Sequence, residues 1–114
     1  MIKTTERRAT AMIIEIQKNP AETILQIAGR LDTITAPSLD KTINEDISDT
    51  KNLVFDLKDL EYISSAGLRV LLGAQKKMQK IGSMKVINVC EEIMEIFEMT
   101  GFVDILVIEN GTCK

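Results

Sequence analysis

Two rhythms of apolar and polar positions alternate along this chain, and the switches between them predict its elements. Ile13, Ile14 and Ile16 mark a strand over residues 12–17, and a second apolar segment predicts a strand over 23–28. The intervening Lys18-Asn19-Pro20-Ala21-Glu22 is turn chemistry, because Asn favours turns and Pro cannot continue a ladder, so the pair reads as a hairpin. Gly29 suits a bulge or bend. Leu39, Ile43 and Ile47 recur every four residues and predict a helix ending near Ile47, with Thr35 as its N-cap and Pro37 in its first turn. Residues 52–57, Asn-Leu-Val-Phe-Asp-Leu, are nearly continuously apolar, which predicts a strand covered on both faces.

From Leu68 the period lengthens. Leu68, Leu71, Leu72, Ala74, Met78 and Ile81 line one side of a helix, while Arg69, Lys76, Lys77 and Lys80 take the other, and Gly82-Ser83 closes it. A buried-type strand over 84–90 follows. A third helix over 91–100 carries Glu91 and Glu92 at its positive end and an inner stripe of Ile93, Ile96 and Phe97. Gly101 serves as its C-cap, with Phe102 placed for the accompanying apolar contact, and residues 105–108 form a last strand. Residues 1–10 read as a loose arm or short edge segment, and 110–114 as a tail. The order β-β-α-β-α-β-α-β predicts an α/β fold with a mixed, mainly parallel sheet, an N-terminal hairpin, and helices packed on the sheet through right-handed crossovers. At 114 residues the chain reads as a single domain with its core over about 12–109.

Composition narrows the chemistry. There is no histidine, which removes Ser-His and Cys-His nucleophilic machinery, the commonest general base and the commonest transition-metal ligand. No pair of carboxylates is spaced for acid/base work, so the protein is expected not to be an enzyme and to need no cofactor or metal. Cys90 and Cys113 lie far apart and read as free thiols of a reducing compartment. The net charge is −3 with Lys and Arg scattered, which argues against direct nucleic-acid binding. No apolar stretch approaches membrane-spanning length, and no signal sequence is visible, so a cytoplasmic protein without membrane attachment is expected.

Ser64 and Ser65 lie between the buried-type strand and the amphipathic helix, where a helix takes its N-cap. Such a hydroxyl, at the carboxyl end of a strand and beside the free amides of a helix start, suits a cap, a phosphate carrier or the neighbour of a bound anion. Asp32, between a strand end and a helix start, reads either as a turn carboxylate or as part of the same surface.

Three ordered segments then carry a resemblance. Gly29-Arg30-Leu31-Asp32-Thr33-Ile34-Thr35-Ala36 resembles the Gly-x-Leu-Asp-x-x-Thr-Ala element of STAS domains. Phe55-Asp56-Leu57 through Tyr62-Ile63-Ser64-Ser65-Ala66-Gly67-Leu68 resembles the signature around their phosphorylated serine, and Ile96-Phe97-Glu98-Met99-Thr100-Gly101-Phe102 their third-helix ending. The chain is thereby similar to bacterial anti-sigma factor antagonists. That resemblance implies partner switching. The unphosphorylated antagonist binds an anti-sigma factor that is also a serine kinase and frees the sigma factor; phosphorylation separates the pair; a metal-dependent serine phosphatase reverses it. It implies Ser65 as the acceptor, with Ser64 as the alternative, and a partner surface of Asp32, Thr33, Ser64, Ser65, Gly67 and Arg69. The chain departs from the family where Ser64 stands in place of a frequent aspartate and Ala66 in place of Ser or Thr. Two other readings are a STAS-type scaffold or sensor subunit, and a small anion- or nucleotide-binding module using the 64–67 turn.

Overall fold

Every parallel connection in the sheet steps in the same direction, and this places the helices on one side. In a computed structural model, which describes residues 12–46 and 51–109, strands β1 (Met12–Lys18) and β2 (Thr23–Leu31) form an antiparallel hairpin, in register from Met12↔Gly29 to Lys18↔Thr23. The turn is held by Asn19, whose Oδ1 accepts from the amides of Ala21 and Glu22, both at 2.9 Å. Beyond β2 the sheet continues in parallel through β3 (Asn52–Asp56), β5 (Ser83–Ile87) and β6 (Ile108–Glu109). Helices α1 (Ala36–Asp46), α2 (Ser65–Ile81) and α3 (Glu91–Thr100) supply the crossovers. Right-handed crossovers that always advance the same way lay their helices on the same face.

Burial follows from that layout. Along β1, Met12, Ile14 and Ile16 are buried while Ile13 and Gln17 are exposed. The inward side chains of the strands, among them Leu25, Phe55 and Val86, join Leu39, Leu71, Met78, Ile93 and Phe97 of the helices in one apolar cluster. The strand expected over residues 52–57, covered on both faces, is found as β3: Leu53 and Phe55 are buried on the helix side, and Val54, on the opposite face, is only 3% exposed.

The structure adds one strand to the expected order. β4 (Leu60–Ile63) pairs in parallel with the second half of β2, where β3 has paired with the first half. A jog at Leu57-Lys58-Asp59 joins the two, and the Leu60 amide donates back to the Leu57 carbonyl at 3.1 Å. Gly29 meets this jog. It has φ 93°, its amide donates to the Asp59 carbonyl, and the β2–β4 register shifts beside it, so its bend is real and requires glycine's freedom.

Other boundaries shift for local reasons. β5 stops at Ile87 rather than at residue 90, because Asn88 turns to φ 57° and anchors its side chain on Asp56. The last strand is Ile108–Glu109 rather than 105–108: the chain is still in a 3-10 turn at Phe102–Asp104, and the Leu106 amide donates to the Phe102 carbonyl. Gly101 caps α3 in the left-handed region, and Phe102 stacks on Phe97 with ring centroids 6.4 Å apart, as the C-cap pattern predicts. Cys90 is a free thiol. The expected arm at 1–10, the Ile47 helix end, Cys113 and the tail at 110–114 lie outside the described residues.

Candidate functional site

The parallel pairing of β2 with β4 brings the two sequence-predicted segments to one edge. Leu31 and Ile63 are partners in register, and the Ser64 amide donates to the Leu31 carbonyl at 2.9 Å. Asp32 and Ser64 are the next residues on each side of that junction.

On the β2 side, the loop is a closed set of local bonds. Asp32 Oδ1 accepts from the Ile34 amide at 3.0 Å and the Thr35 amide at 3.1 Å. The Thr35 hydroxyl accepts from the Asp32 amide at 2.8 Å and donates to the Arg30 carbonyl at 2.9 Å. Thr35 is 5% exposed and stands just before α1, and its carbonyl accepts from the Ser38 amide. Its side chain, expected to cap α1, instead fastens the turn. The amide of Thr35, with that of Ile34, the Thr35 hydroxyl and the nearby Arg30, holds the Asp32 carboxyl below the ordinary aspartate range despite partial desolvation. Asp32 thus remains an anion. Its Oδ2 lies 3.8 Å from Arg30 Nε, and the Arg30 guanidinium sits 4.3 Å over the ring of Tyr62.

On the β4 side, the two serines divide their work. Ser64 is half-buried, has extended φ/ψ of −100° and 177°, and accepts from the Gly67 amide at 3.4 Å, while its carbonyl takes the Leu68 amide. It is the N-cap. Ser65 is the first helical residue, is exposed, and among the described residues its hydroxyl has no hydrogen-bond partner. Gly67 is buried, and a Cβ there would lie 2.6 Å from Leu31 Cγ and 2.9 Å from Ile63 Cγ1. Its role in the fold is to let the helix start sit against the ends of β2 and β4. Arg69 is exposed one turn along the helix from Ser65.

Asp32, Thr33, Ser64 and Ser65 therefore share one edge, with Arg69 displaced along α2 and Gly67 beneath. Two exposed apolar groups at this edge escape pattern reading: Ile34, 76% exposed, and Tyr62, 38% exposed. A lone isoleucine between two threonines carries no period, and Tyr62 lies in the unrecognised strand β4. Among the described residues no three His, Cys, Asp or Glu side chains could hold a metal ion, and no helix is long and apolar enough to cross a membrane.

The model of the STAS domain matches residues 13–112 of this chain. The chain belongs to the STAS domain family. This STAS domain is 32% identical over 94 residues to the anti-sigma-B factor antagonist of Bacillus subtilis strain 168, covering 82% of this chain and 86% of that protein. An anti-sigma factor antagonist from Mycobacterium paratuberculosis shares the fold with a TM-score of 0.79 at 22% identity, over 86% of this chain and 85% of that one. The Bacillus cell fate determinant SpoIIAA, solved in its phosphorylated form, shares it with a TM-score of 0.70 at 16% identity, over 87% of this chain and 91% of that one.

Proposed function

We propose that this STAS domain is an anti-sigma factor antagonist, not an enzyme, and that it works by partner switching. Unphosphorylated, it binds an anti-sigma factor that is also a serine kinase, and the sigma factor is released. The kinase then transfers a phosphoryl group to Ser65, the pair separates, and a metal-dependent serine phosphatase removes the phosphate.

The observation that carries this reading is the division of labour between the serines. Ser64 is engaged in capping, whereas the Ser65 hydroxyl is exposed and unbonded among the described residues, beside the anionic Asp32 loop. The substitution of Ser64 for the family's frequent aspartate keeps a capping oxygen at that position. A phosphate on Ser65 brings about −1.5 to −2 charges to a helix start, which the free amides and dipole there accommodate. The cost falls on a docked partner, which would have to desolvate that charge. The similarity to the Bacillus subtilis anti-sigma-B factor antagonist supports the antagonist reading, and SpoIIAA, which shares the fold, occurs in a phosphorylated form.

The test is a phosphorylation assay. The protein and its Ser65→Ala and Ser64→Ala variants are incubated with ATP and each candidate anti-sigma kinase from the same cell, then read by intact mass and peptide mapping. One phosphate on Ser65, lost in Ser65→Ala and kept in Ser64→Ala, is the expected result. Binding to a kinase without any modification overturns the switch and leaves a scaffold that binds partners.

A further inference from the structure

The outward side of α2 has a charge pattern that the switch serine alone does not use. Ser65, Arg69, Gly73, Lys76 and Lys80 are all exposed and follow one another at spacings of four, four, three and four. At 100° per residue these positions fall on a single ridge, roughly 22 Å long at 1.5 Å per residue. The helix carries four cations, Arg69, Lys76, Lys77 and Lys80, and no acidic residue, in a protein whose net charge is −3. Lys77 lies off the ridge and is hydrogen-bonded to Asn44 of α1. Among the described residues Arg69, Lys76 and Lys80 have no ion-pair partner. Midway between Arg69 and Lys76 sits Gly73, where an added Cβ would meet nothing within 4 Å. A glycine inside a helix is unfavourable, and neither packing nor backbone angle calls for this one. It leaves a bare step between flanking cations, where another surface can approach the helix backbone.

We propose that this ridge is a docking surface for an acidic face of the anti-sigma factor, with Arg69, Lys76 and Lys80 as its charge contacts and Gly73 as the point of close approach. The inference rests on the antagonist reading above, and it names the chemistry of the partner surface. It also explains how one modification suffices. Ser65 is the head of the ridge, so a phosphate of about −1.5 to −2 charges offsets the neighbouring Arg69, one turn away, and sets like charge against an acidic partner at that end of the surface. Complementary charge of this kind acts chiefly on the association rate and weakens with salt.

The experiment measures association and dissociation rates between the full chain and the anti-sigma factor of the same cell, at about 50 mM and about 300 mM salt, where screening differs strongly. Vesicles of phosphatidylglycerol and phosphatidylcholine in a one-to-three ratio are run in parallel. Lys76→Glu/Lys80→Glu, remote from the phosphorylation site, is expected to slow association by about tenfold or more at low salt, to flatten the salt dependence and to keep the melting temperature. Lys76→Ala/Lys80→Ala gives a smaller change of the same sign. Gly73→Ala is expected to raise the melting temperature yet speed dissociation, a combination that a structural role alone does not give. Unchanged rates in the charge variants, with the parent still binding, overturn the ridge and leave the antagonist reading intact. A parent chain that fails to bind overturns both. Charge-dependent binding to the vesicles, without an effect on the protein complex, replaces the acidic partner with a lipid surface and overturns the proposal.

Discussion

Two glycines of one helix should respond to the same substitution with opposite signs. Gly67 and Gly73 both lie in α2, and each would gain a single methyl group on change to alanine. At Gly73 the new Cβ meets nothing within 4 Å, so only the helix preference operates, and Gly73→Ala should stabilise the protein by about 0.5–1 kcal/mol. At Gly67 the same atom would lie 2.6 Å from Leu31 Cγ, 2.9 Å from Ile63 Cγ1 and 3.0 Å from Leu31 Cδ2. Leu31 is 0% and Ile63 3% exposed, both are strand residues in the core cluster, and neither has free space to retreat into. Overpacking of this kind costs about 1–3 kcal/mol. The preference for alanine is weaker in the first turn and returns only part of that. The net expectation is a loss of about 1–2 kcal/mol for Gly67→Ala. The two variants should then differ by about 2 kcal/mol, or roughly 6–10 °C in melting temperature for a domain of this size. Denaturant titration and thermal melts followed by circular dichroism would read both. A Gly67→Ala variant as stable as Gly73→Ala would refute the packing argument and would mean that the helix start is free to slide away from β2.

The remaining expectations concern the site and its supports. Ser64→Ala removes a cap whose bond to Gly67 is long, 3.4 Å, and should cost about 0.5–1 kcal/mol in a chemical melt, whereas Ser65→Ala should stay within about 0.5 kcal/mol of the parent. Reversed magnitudes would exchange the roles of the two serines. Arg69→Glu should weaken partner binding at unchanged stability, and unchanged affinity in a titration would remove Arg69 from the interface. The Asp32 carboxyl should titrate below the ordinary aspartate value in a carbon-detected NMR series, and Thr35→Val, which removes the hydroxyl 3.2 Å from Asp32 Oδ1 but keeps the backbone amide, should raise its midpoint. Because that carboxyl is depressed in the folded state, its contribution to stability is present above the unfolded value and lost as acid carries pH through the folded one; an unshifted midpoint would contradict the loop described here. Gly82→Ala should destabilise more than Gly67→Ala, since its Cβ would run into the backbone carbonyl of Lys51, which cannot rotate away as a side chain does. Equal melting temperatures would count against that contact.

Where the sequence reading succeeded, local chemistry and global packing asked for the same residue. Gly101 with Phe102 is an example: the cap glycine, the turn and the stacked ring agree. The three helices were legible for this reason, and so was the hairpin around Asn19. The pattern failed where a residue's partner is distant in the chain. Nothing local in Leu60-Glu61-Tyr62-Ile63 says strand; it becomes one because β2 is longer than β3 and offers an unpaired half. Residues 105–108 look like a strand and are mostly not one, because Leu106 is drawn into the core while the chain is still turning. Thr35 was placed at the right position with the wrong bond: the carboxylate loop competes for its hydroxyl more effectively than the helix does. Ser64 and Ser65 are both legible as candidates, and the resemblance points to Ser65; the structure adds that Ser64 is half-buried and bonded as the N-cap while Ser65 is exposed.

The single hydrogen bond from the Ser64 amide to the Leu31 carbonyl has a consequence for timing. It ties the segment that carries Ser64 and Ser65 to the Asp32 loop. Under the partner switching proposed above, a phosphate on Ser65 would then land on a segment already fastened to β2, and the switch would store no conformational memory. Its output would follow the balance of kinase and phosphatase of the moment, read as fast as a partner diffuses to it.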